Sequence, residues 1–86
     1  MNAATKSVIE GWLKRLYEDE NLTHMIVVCD TFDYEDYPVY VSKDEDVRLQ
    51  AGKYAEGGNM QKLMEVYSRN YTFEEQMAEG RAFHYD

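Results

Sequence analysis

HMIVVCDTFDYEDYPVYVS, residues 24–42, decides how the rest of the chain is arranged. Residues 25–29 are the most apolar run in the protein, and Val39, Tyr40 and Val41 form a second short run of strand formers. Neither run alternates cleanly with polar residues. The first therefore reads as a strand buried on both faces, which calls for a helix over each side. Between the runs lies DTFDYEDYP, four carboxylates interleaved with three aromatics. Pro38 fixes its own backbone and pushes Tyr37 to extended geometry. It donates no ladder hydrogen bond, so it belongs at a strand start or on a sheet edge. The stretch reads as a β-hairpin over 24–42 with an acidic, aromatic, exposed connection.

An 86-residue chain suits one domain with a modest core. Lys plus Arg number 9 against 17 Asp plus Glu, a formal net charge of -8. Such a surface repels nucleic acid and anionic membranes and speeds encounter with basic partners. It also keeps a small domain soluble. Direct nucleic-acid binding is disfavoured, since the basic residues are few and scattered. Cys29 is the only cysteine, sits in the apolar run and reads as a small buried hydrophobe. A lone thiol without a signal peptide points to a reducing, cytoplasmic setting. No apolar run is long enough to span a membrane.

Working outward, residues 1–5 read as a frayed start. Ser7 and Glu10 have capping-box spacing, and Val8, Ile9, Trp12, Leu13, Leu16 and Tyr17 recur at helical spacing, so a helix is expected over 8–18. Gly11 lies inside it, which suggests close packing there. The helix ends in Glu18, Asp19 and Glu20, the wrong sign for a helix C-terminus. After a turn marked by Asn21 and Thr23 comes the hairpin. Ser42 and Glu45 form a second capping-box pattern, with Asp44 and Glu45 in the first turn of a second helix. Val47, Leu49, Ala51 and Tyr54 supply its weak apolar face, and Gly57-Gly58 stop it. Asn59 then caps a third helix with a stripe of Met60, Leu63, Met64 and Tyr67, Val66 at its edge. Asn70 ends it. Thr72 and Glu75 open a short fourth helix with Phe73, Met77 and Ala78, ended by Gly80. Residues 81–85 read as an extended tail or as a third strand added to the hairpin. The expectation is an α+β domain, a small antiparallel sheet packed by three to four helices in the order α-β-β-α-α-α. Its core should take Val8, Trp12, Leu13, Leu16, Ile26, Val28, Val39, Val41, Leu63, Met64 and Tyr67.

The acids concentrate between residues 18 and 46: Glu18, Asp19, Glu20, Asp30, Asp33, Glu35, Asp36, Asp44, Glu45 and Asp46. If the first helix ends, the hairpin turns and the second helix begins on one side, they form a single negative face. Such a carboxylate array imitates nucleic-acid phosphates in a Lys/Arg-rich groove. Tyrosine supplies contact area at little entropic cost, so Tyr34, flanked by Asp33 and Glu35, is expected to be exposed. Phe32 and Tyr37 are expected to fold inward and close the end of the core. The candidate partner-binding residues are Asp30, Asp33, Tyr34, Glu35 and Asp36, with Glu18, Asp19, Glu20, Asp44 and Asp46 at the margin.

No metal site or cofactor is expected. The acidic loop lacks the central glycine and distal glutamate of an EF-hand, and His24, Cys29 and His84 stand apart rather than at zinc spacing. There is no P-loop, dinucleotide turn or nucleophile elbow, so the sequence favours a binding protein over an enzyme.

The segments THMIVVCDTFDYEDYPVYV and NMQKLMEVYSRN resemble a pattern found in small proteins of phages and mobile elements. As a single acidic domain without an enzymatic signature, the chain is similar in type to phage-encoded anti-CRISPR inhibitors. That resemblance implies a non-enzymatic inhibitor in the host-cell cytoplasm. It would bind a basic, nucleic-acid-binding surface of a bacterial defence complex, a CRISPR effector, and block nucleic-acid access as a DNA mimic. The alternative is an accessory interaction module, as a monomer or a homodimer, with an apolar contact through Trp12, Leu16, Tyr17 or the Met-rich face of the third helix.

Overall fold

The structure is a computed structural model that describes residues 5–55, 60–79 and 81–86. Its elements run α1 (Lys6–Glu18), β1 (Leu22–Asp30), β2 (Glu35–Ser42), α2 (Val47–Ala55), β3 (Gln61–Ser68) and α3 (Phe73–Ala78). They form an α+β arrangement with a three-stranded antiparallel sheet in the order β2-β1-β3. The apolar run thus becomes the central strand, and Met25, Ile26, Val27 and Val28 enter two cores, whereas Cys29, expected to be buried, is only half-buried and joins neither. On one face, Met25, Val27 and Tyr67 pack with Leu13 and Leu16 of α1, bordered by Phe73 and Met77 of α3. On the other, Ile26, Val28, Val41 and Val66 pack with Val47 and Ala51 of α2. Each fully buried aliphatic side chain contributes about 2 kcal/mol relative to exposure.

The sequence order is corrected at one element: residues 60–67 are not a helix. Met60 precedes β3, and Leu63, Met64, Val66 and Tyr67 lie in it. The register shifts between Val27 and Val28, with Glu65 opposite Val27 and Leu63 opposite Val28, so Met64 is a bulged extra residue. A bulge breaks the alternation of period two. Here it spaces the apolar residues by three and four and counterfeits a helical stripe. The segment 81–85 does not supply the third strand and does not join the hairpin. Val66 makes one parallel bridge with Phe83 at the outer edge of β3.

Local signals met different fates. Thr72 and Glu75 make the full capping box at α3. At α1 the cap is Thr5, whose hydroxyl accepts from the Val8 amide at 3.4 Å, rather than Ser7. Glu45 accepts from the Ser42 amide at 2.9 Å, but this closes a turn ahead of α2. The helix itself is capped by Asp46, which accepts from the Arg48 amide at 2.9 Å. Asp44 and Glu45 therefore precede α2 instead of lining its first turn. Nothing lies within 4 Å of a side chain placed at Gly11, so close packing does not explain that glycine. Val8 is 44% exposed and Leu49 68% exposed, and neither joins a core. Of the frayed start expected over residues 1–5, Thr5 is the α1 cap instead, and residues 1–4 lie outside the described residues, as do the Gly57-Gly58 stop, the Asn59 cap and the Gly80 stop.

Both outer edges of the sheet are modified. Pro38 sits in edge strand β2, opposite Val27, and removes a donor there. On β3, the buried Gln76 side chain stands in for a neighbouring strand. Its Oε1 accepts from the Ser68 amide at 2.8 Å, and its Nε2 donates to the Ser68 carbonyl at 2.9 Å. One step along, Val66 donates to the Ala82 carbonyl and accepts from the His84 amide, both at 2.9 Å.

Candidate functional site

The hairpin turn follows from Asp30 and Asp33. Asp30 accepts from the Phe32 amide at 2.9 Å through its side chain and from the Tyr34 amide at 2.6 Å through its carbonyl. Asp33 accepts from the Glu35 amide at 3.3 Å. These local bonds are the reason aspartate favours turns. They bring Tyr34 to φ 58°, a left-handed conformation that is uncommon for a bulky residue. Met60, at φ 60°, is tied to the turn by the Thr31 amide, which donates to its carbonyl at 2.7 Å.

This tip presents apolar surface. Phe32 is 76% exposed, Tyr34 63% and Met60 53%. The outward Tyr34 agrees with the sequence, whereas the expected inward Phe32 is corrected: its ring reaches neither core. Tyr37 does pack against the second core, and its hydroxyl accepts from the Gln61 side-chain amide. Burial raises the Tyr37 phenol above its ordinary value. Asp36 is half-buried beside Cys29. The Cys29 thiol is raised, first by desolvation and then by Asp36, with Lys62 opposing, so its surroundings on balance disfavour the thiolate.

The ten acids do not share one face. An antiparallel hairpin returns the chain to its starting end, so its two flanks meet and its tip lies opposite. Leu22 pairs with Ser42 at one end of β1, and Asp30 with Glu35 at the other. The intervening rise is about 26 Å. Asp30, Asp33, Tyr34, Glu35 and Asp36 lie at the tip. Glu18, Asp19, Glu20, Asp44, Glu45 and Asp46 gather at the junction of α1, β1, β2 and α2, where the Lys43 amide donates to the Asn21 carbonyl at 2.9 Å.

The junction carries basic residues among its acids. Arg15, Glu18, Asp19, Glu20 and Asn21 line an open surface depression. The Arg69 guanidinium donates to the carbonyls of Leu16 and Asp19 at 2.7 Å each, and of Tyr17 at 3.2 Å. It thus adds to Arg15 a second positive charge at the acidic end of α1. Sequence reasoning missed Arg69 and Gln76, because Arg69 acts on backbone carbonyls far back in the chain and Gln76 acts on the edge of β3 across the turn that leads to α3.

His24 is buried on β1, with Nδ1 2.8 Å from the Thr23 hydroxyl. Burial lowers its pKa below the ordinary value, partly opposed by the backbone of Tyr85 and Asp86. His84 is stacked on Tyr71 with centroids 4.0 Å apart and bonded to Glu79 at 2.8 Å. Glu65 is buried beside Tyr67. Desolvation raises the carboxyl, and burial together with Glu65 pushes the Tyr67 phenol up strongly. Among the described residues, no group of three His, Cys, Asp or Glu side chains is arranged to hold a metal ion, and no helix is long and apolar enough to cross a membrane.

Comparison with protein-family models, with curated proteins and with solved structures finds no match to this chain.

Proposed function

We propose that this chain is a non-enzymatic inhibitor acting by occupancy. It docks its hairpin tip on a basic, nucleic-acid-binding surface of a bacterial defence complex of the CRISPR-effector kind and blocks nucleic-acid access. The observation that carries the reading is the tip itself: Phe32 and Tyr34 exposed among Asp30, Asp33, Glu35 and Asp36. Large exposed rings in a small domain add nothing to its core and mark surfaces that meet a partner. The surrounding acids select a basic one and speed its approach. The type of partner rests on the likeness to anti-CRISPR inhibitors. Because the acids divide between two ends, the tip is the contact and the junction acids shape the long-range field.

The apolar dimer finds less to work with. Leu16 is fully buried, Trp12 and Tyr17 pack against the same core, and the Met-rich segment is strand.

The test is capture of partners from bacterial lysate at low and high salt, followed by competition with DNA. The comparison protein carries Asp33→Asn, Glu35→Gln and Asp36→Asn. Asparagine at 33 keeps the oxygen that closes the turn. Capture of a nucleic-acid-binding complex that is lost at high salt, displaced by DNA and absent with the triple variant is the expected result. Capture indifferent to both salt and the triple change would sink the reading.

A further inference from the structure

We infer that the hairpin tip recognises arginine rather than lysine on its partner. This rests on the reading of the tip as a docking surface and names the chemistry that fills it. Phe32, Tyr34 and Met60 give the tip apolar area, and the backbone bond from Thr31 to Met60 joins the two segments that carry it. Carboxylates lie on both sides of each ring in the chain: Asp30 and Asp33 around Phe32, Asp33 and Glu35 around Tyr34. Within residues 30–36 and 60–62, which form the tip and the strand end beside it, Lys62, opposite Cys29, is the one basic residue against four acids. The charge therefore calls for a cation, and the rings determine which.

A guanidinium is flat, weakly hydrated and delocalised. It can lie on a ring while its N–H groups reach a neighbouring carboxylate. An ammonium is compact and strongly hydrated, so it gains from the carboxylates and little from the rings. The molecule makes the guanidinium contact internally: Arg48 lies 4.9 Å from the centroid of the Tyr85 ring. The turn is also held in advance by Asp30 and Asp33, which limits the entropy lost when a partner docks. An arginine-bearing strand or loop is the occupant that satisfies charge and rings together.

The experiment uses the full chain, titrated at low salt with oligo-arginine and with oligo-lysine of equal length, read by calorimetry. Oligo-arginine should bind about tenfold more tightly. In the variant with Phe32→Ala and Tyr34→Gly the two peptides should bind alike. Glycine adopts the backbone at 34 without strain, so circular dichroism should show the fold retained. Equal affinity of the intact chain for both peptides overturns the arginine preference while leaving an acidic docking surface. A preference that survives removal of both rings overturns the role of the rings. Binding of neither peptide overturns this inference and the docking reading together.

Discussion

The two ends of the sheet have similar composition and opposite construction. At the junction of α1, β1, β2 and α2, acidic side chains are engaged in folding: Glu45 closes a turn, Asp46 caps α2, and Asp19 accepts from the Asn21 amide at 3.0 Å. Arg69 compensates the acidic helix end. At the tip, Asp30 and Asp33 likewise build the turn, but what they hold up is exposed rings that no core requires. Counting charges does not separate these ends. The surroundings of each carboxylate do.

The strongest way to break the contrast is Arg69→Ala. It removes charged donors from several carbonyls at the junction and should cost about 3 kcal/mol in urea unfolding. Arg69→Lys, which keeps the charge but loses the fork, should recover only part of it. Asp46→Ala should cost about 1 kcal/mol through loss of the α2 cap. At the other end, Tyr34→Gly should raise stability by about 0.5 kcal/mol, because glycine accepts the positive φ. If Tyr34→Gly destabilised the fold as much as Asp46→Ala, the tip would be a structural element like the junction. The finest discrimination is by pH. Folding favours the neutral His24 ring, so this contribution to stability is fully present above about pH 6.5 and falls as the pH drops towards the lower folded-state value. Thermal unfolding between pH 7 and 5.5 should show that loss, and His24→Gln should reduce it.

The hairpin was legible because an unbroken apolar run, an aspartate-rich turn and Pro38 all support it. Tyr34 was legible from its charged neighbours. Phe32 was not, since an aromatic ring near a core edge carries no sequence mark of its direction. Residues 60–67 misled through the bulge at Met64, whose effect depends on pairing with β1 and leaves no local trace. The division of the acids, by contrast, follows from the hairpin itself: its flanks must meet at the end opposite its tip. Arg69 and Gln76 were illegible, for each serves backbone groups that only the folded chain brings near.

Gln76 has a further consequence, together with Pro38. A small sheet with bare edges invites its copies to join strand to strand. Here one edge lacks a donor at Pro38, and the other is plugged by a side-chain amide at Ser68 and by the segment at Val66. Each edge therefore offers a second copy a shorter run of free backbone groups to pair with.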